Sequence, residues 1–181
     1  MKLLILYYSR TGNNRTLAHY LAEQIGADIE EIRPLRRLKL LGMLLDFFNN
    51  RQPKIAPISK NPEDYEHTLF LAPLYDMGIA HPMKTALVTL KHLLGPYSFV
   101  TFCGYQRDKQ SDHIHQELLD LTAREPVHIQ ELHVCDLVPE DKRADVMTVS
   151  RYRVKPEELS AYGDSIKTIL DWFVATNQQP H

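Results

Sequence analysis

The sequence predicts an α/β fold, a doubly wound parallel sheet of five strands with helices on both faces. Three observations predict it. Unbroken apolar runs recur along the chain, chiefly Leu3–Tyr8, His67–Pro73 and Tyr97–Cys103. A run without alternation suits a strand buried on both sides. Between the runs, apolar residues return every three or four positions, the period of a helix packed by one face. Strand and helix alternate throughout, which implies parallel strands joined by crossovers. At 181 residues the chain is expected to form one domain, 1–181, able to bury a core without metal or disulfide.

Leu3–Tyr8 is read as the first strand. A polar turn follows, and Leu17, Ala18, Leu21, Ala22 and Ile25 then share one helical face up to Gly26, a natural stop. Asp28–Arg33 is expected as a short strand near a sheet edge. Leu35–Gln52 is long and rich in Leu and Met and reads as a helix, yet only Lys39 and Asp46 interrupt its apolar middle. Plain packing on the sheet competes there with a lid over an aromatic cofactor, a partner-docking surface, or a patch on an anionic membrane. Pro53–Pro62 is a connector with three prolines. His67–Pro73 is a strand and Leu74–Pro82 a loop, with Pro82 opening a helix through Met83, Ala86, Leu87, Leu90 and Leu94 to Gly95. Tyr97–Cys103 is a strand. Ile114, Leu118 and Leu121 mark a helix that ends before Pro126. Val127–Val134 is the fifth strand, and 135–153 yields no element. Lys155-Pro156-Glu157-Glu158 is expected to start the last helix, with Leu159, Tyr162, Ile166, Ile169, Leu170 and Phe173 as its apolar face.

The turn Ser9-Arg10-Thr11-Gly12-Asn13-Asn14 lies between a buried strand and a helix N-terminus. The first N–H groups of a helix have no partners and its dipole favours an anion there. Ser9, Thr11 and both Asn side chains are expected to add donors. The turn resembles the phosphate loop of the flavodoxins, (S/T)-x-T-G-N-(T/S) after the first strand, departing only at Asn14. The resemblance implies strand order 2-1-3-4-5 and FMN at the switch point between strands 1 and 3. It implies cofactor contacts from Ser9, Arg10, Thr11, Gly12, Asn13 and Asn14. It also implies contacts from the second loop (Pro73, Leu74, Tyr75, Asp76, Met77, Gly78) and the third (Cys103, Gly104, Tyr105, Gln106). Tyr75 and Tyr105 are then expected on opposite faces of the flavin ring, against plain packing for each. Asp76 is either a surface acid or a charge near the ring. Gly78 and His81 suit a turn and a helix entry as well as a site. Cys103 reads as a small buried residue rather than a redox thiol.

Composition narrows the chemistry. Cys103 and Cys135 are the only cysteines, too few for a disulfide framework, so a reducing, cytoplasmic setting is expected. The start is read as a strand rather than a signal peptide, and no apolar run spans a membrane. Nine histidines occur, but His113, His115, His128 and His133 lack the usual zinc spacing, and no metal is expected. Ser9 cannot replace a phosphatase thiolate, and Tyr7-Tyr8-Ser9 lacks the acids of a receiver domain. From Arg33 to Lys54 six basic residues face one acid, a local +5, leaving −7 on the rest of a chain of net charge −2. Such asymmetry points to a partner or an anionic ligand. The resemblance implies an FMN-binding protein in electron transfer or oxidoreduction: a one-electron carrier, or an NAD(P)H or quinone reductase. A flavin-free interaction module on the same fold is the other class. Expected partners are a redox protein or a small acceptor such as a quinone, with an anionic membrane surface open through 35–52; nucleic acid is not expected. No catalytic acid or base stands out.

Overall fold

The computed structural model describes residues 2–35, 53–76 and 78–175. Most of Leu35–Gln52, with its competing readings, lies outside them, as does Met77. Five strands, β1 (Leu3–Tyr7), β2 (Asp28–Glu31), β3 (His67–Leu71), β4 (Tyr97–Cys103) and β5 (Ile129–His133), form one sheet in the order β2-β1-β3-β4-β5. Every pairing in it is parallel.

Five α-helices are described: α1 (Asn13–Ile25), α2 (His81–Leu90), α3 (Gln110–Thr122), α4 (Val146–Arg151) and α5 (Gly163–Ala175). α1 and α5 pack on one face with Leu17, Leu21, Val100, Phe102, Ile166 and Phe173. α2 and α3 cover the other with Phe70, Met83, Leu87, Phe99, Ile114 and Leu118. Alternate residues of a strand point to opposite faces, so β1 sends Leu4 and Leu6 to one core and Leu3, Ile5 and Tyr7 to the other. Each fully buried Leu or Phe is worth about 1.5–3 kcal/mol, which is why the unbroken apolar runs become the central strands. Among the described residues no helix is long and apolar enough to cross a membrane.

β2 is the edge strand that its imperfect alternation implies. Its edge is covered, because Glu30 accepts hydrogen bonds from the Ser59 and Lys60 N–H groups at 2.7 and 2.9 Å. α1 ends at Gly26, whose φ of +65° places it in the left-handed region.

Three segments differ from the sequence reading. The loop expected at Leu74–Gly78 is a small antiparallel hairpin, Leu74–Tyr75 with Gly78–Ile79, turned through Asp76 at φ +50°. The last helix does not begin at Pro156. Residues Pro156–Tyr162 form a 3-10 turn, and the α-helix starts at Gly163. The proline and acids there do open a helical segment, but a tighter one. Residues 135–153, which carry no periodic signal, fold into 3-10 turns and α4.

Candidate functional site

β1, β3 and β4 end on the same edge of the sheet and deliver three loops to it. The first is the turn between β1 and α1. Gly12 has φ +102° and caps α1 without a side-chain hydrogen bond. Its N–H donates to Ser9 Oγ at 3.1 Å, leaving the Ser9 hydroxyl proton free to donate outward. No acid occupies the first turn of α1, and the N–H groups of Asn13, Asn14 and Arg15 have no carbonyl below them in the helix. The turn therefore has the polarity of an anion cradle.

The Asn side chains do something else. Asn14 is 1% exposed; its amide donates to Phe102 O at 3.2 Å and accepts from Phe102 N at 3.0 Å. β3 pairs with β4 only as far as Leu71 opposite Val100. Beyond that point the Asn14 amide stands in for the missing strand. Asn13 clamps another segment in the same way, donating to Tyr152 O at 3.2 Å and accepting from Val154 N at 3.1 Å. Each amide thus commits its oxygen and one of its two N–H donors to backbone, a use that a local motif does not reveal and that the expectation of phosphate donors here did not include. The Ser9 and Thr11 hydroxyls and the N–H groups of the helix start remain to meet an anion.

The second loop is the 74–79 hairpin. Glu117 of α3 holds it, accepting from Ile79 N at 2.7 Å while pairing with Lys84 of α2. The Tyr75 ring lies 5.9 Å from the Arg10 guanidinium, within cation–π range. Its Oη is buried and has no hydrogen-bond partner among the described residues. Burial, then neighbouring Tyr8, raises its pKa strongly, so the phenol stays neutral. Asp76 is a surface acid, 3.4 Å from Arg107 of the third loop.

In the third loop Gly104 accepts from Cys135 N at 3.1 Å. Tyr105 donates its hydroxyl to Arg143 O at 2.9 Å, which ties its ring to the 140–143 turn. Cys103 is 6% exposed. Burial, then the charge of Glu131, pushes its thiol up to about 12, the state of a buried rather than reactive cysteine. Gln106 is exposed beside Arg107, and both line an open cleft of about 460 Å³ at the start of α3. Pro73, Leu74 and Gly78 are half-buried frame residues of the hairpin. The structure thus brings Arg10 to Tyr75 and Asp76 to Arg107.

Sequence reading missed one constellation. Cys103 faces His133 across the parallel register of β4 and β5, with Glu131 two residues before, and their potential ligand atoms lie within 4.8 Å of one another. Spacing along the chain carries no trace of this, because pairing alone joins the two strands.

No family model matches the chain, and no curated protein matches it. Solved structures do. One is a flavoprotein from Lactobacillus acidophilus NCFM in complex with FMN, 18% identical, with TM-score 0.63 over 72% of this chain and 92% of that one. A Bacteroides eggerthii structure at 15% identity gives 0.60 over 92% and 98%. An NAD(P)H:quinone oxidoreductase from Methanothermobacter marburgensis at 12% identity gives 0.50 over 100% and 99%. At such identities the likeness is one of fold.

Proposed function

We propose, for a chain that has the flavodoxin-like fold, that it binds FMN and serves in electron transfer. The observation that carries this reading is the turn after β1. A left-handed Gly12, two hydroxyls and an acid-free helix start meet where β1 and β3 part toward opposite sides of the sheet. Ser9, Thr11 and the N–H groups of residues 13–15 hold the phosphate, and Arg10 adds charge beside it. Pro73–Gly78 and Cys103–Gln106 flank the ring, with Tyr75 supplying an aromatic face and a hydroxyl that lacks a partner. Bound FMN supplies the redox chemistry. The residues of the chain orient it, exclude water from the Tyr75 side and set the charge around it.

Both Asn amides of the turn, and the Tyr105 hydroxyl of the third loop, are engaged internally. That favours, as a second reading, a flavin-free interaction module. Titrating FMN into flavin-free protein and following flavin fluorescence separates the two. Stoichiometric binding is expected, with riboflavin weaker by more than about tenfold for want of charge-assisted phosphate bonds. No FMN uptake, or equal affinity for riboflavin, overturns the proposal. If FMN binds, anaerobic mixing with NADPH bears on the role: rapid oxidation by the protein alone argues against a pure carrier.

A further inference from the structure

β4 and β5 place three metal-ligating side chains on the α2–α3 face. Residues two apart share a strand face, and Phe99 and Ile129 fix that face as the one packed by α2 and α3. Thr101 and Cys103 on β4, with Glu131 and His133 on β5, continue it to the sheet's end. The Cys103 Sγ, a Glu131 carboxylate oxygen and a His133 ring nitrogen lie within 4.8 Å of one another. The Glu131 and His133 side chains are 13% and 17% exposed.

Cys103 and Glu131 have hydrogen-bond partners, and His133 is the member left unsatisfied. His133 Nε2 is buried and lacks a hydrogen bond, because Glu131 Oε2 lies 3.5 Å away, too far for a good one. Thr101 Oγ1 beside it is also unpartnered. Gln110, 4% exposed at the start of α3, donates to Glu131 and, at 3.6 Å, to Cys103 Sγ. On the far side of the imidazole, Asp136 Oδ2 is 3.9 Å from Nδ1, close enough for charge attraction but beyond hydrogen-bond distance. Glu131 also lines the 460 Å³ cleft at the start of α3.

We propose that Cys103, Glu131 and His133 form a zinc site whose fourth position opens to that cleft. One thiol, one imidazole and one carboxylate suit zinc, whereas calcium and magnesium select oxygen donors alone. Three protein ligands with a fourth position left to water is the open arrangement. On binding, the Sγ–H bond breaks, a zinc–sulfur bond forms and the proton leaves to solvent. The site does not require bound flavin.

Calorimetric titration of the chelator-treated, flavin-free full chain with zinc chloride tests it. One zinc per chain is expected. Cys103→Ser and His133→Ala should each weaken it by more than about 100-fold, above the roughly 10–100-fold that an outer neighbour costs. Cobalt loading gives a second readout that needs no variant of these ligands. A thiolate-to-cobalt charge-transfer band should appear in the unaltered protein and persist in Cys135→Ser. No stoichiometric zinc, no thiolate band, or zinc lost in His113→Ala with His115→Ala instead overturns the proposal.

Discussion

Asn13 and Asn14 fasten the turn after β1 through four hydrogen bonds to backbone at least 88 residues distant. The 74–79 hairpin and the loop after β4 meet through the exposed Asp76–Arg107 pair at 3.4 Å. An exposed pair of this kind contributes about 0–1 kcal/mol, whereas each buried backbone group left unpaired costs about 1–3 kcal/mol. The carboxyl edge of the sheet therefore has one side fastened by buried backbone bonds and another whose two loops meet through an exposed ion pair. Residues that look like ligand donors in a motif act here as bolts, and Tyr75, whose hydroxyl lacks a hydrogen bond among the described residues, sits on the side of the exposed pair.

The sharpest way to break this contrast is Asn14→Ala, which orphans Phe102 N and O together. A loss of about 2–4 kcal/mol in urea unfolding is expected; a change under about 0.5 kcal/mol would remove the fastened side. Acid should weaken the fold from the opposite end of the sheet. His67 of β3, beside Ser98 Oγ at 3.0 Å, is held down to about 4 by burial, then by His128. The unfolded chain takes up its proton near 6.5 while the folded chain does not. Stability is therefore complete above about pH 6.5 and falls as pH drops toward 4, by about 1–3 kcal/mol. His67→Gln should flatten that slope in unfolding midpoints compared between about pH 7.5 and 5, and an unchanged slope would acquit His67.

Gly12→Ala meets open space, but at φ +102°. The left-handed penalty, about 1–2 kcal/mol, should lower the melting temperature and weaken FMN by at least as much. Smallest is Tyr75→Phe. Removing an orphaned hydroxyl should leave stability unchanged or up to about 1 kcal/mol higher, while FMN affinity drops. A drop in stability with FMN affinity intact would place the hydroxyl in the frame instead.

Much of the sheet was legible because central strands must be apolar throughout: β1 and β4 follow their runs almost residue for residue. Gly12 and Gly26 were legible as punctuation, and both have positive φ. The uses of Asn13 and Asn14 were not, since a side chain that completes a distant ladder has no local signature. The hairpin at Leu74–Ile79 escaped because two-residue strands are too short to show alternation. Val127 stays outside β5 and is 51% exposed, although its N–H still donates to Tyr97 O. The Cys103, Glu131 and His133 cluster depends on register between two strands, which no single stretch of sequence encodes.

The Asn13 clamp has a consequence in time. Its hydrogen bond to Val154 N spans 141 residues and that of Asn14 to Phe102 spans 88. Contacts so remote in sequence form late, because loop closure must precede them. The N-terminal turn is therefore made early on the ribosome but completed only after residues near 154 have emerged and folded back. A nascent chain therefore carries the Ser9–Asn14 sequence for more than a hundred residues of synthesis before Val154 can complete the turn.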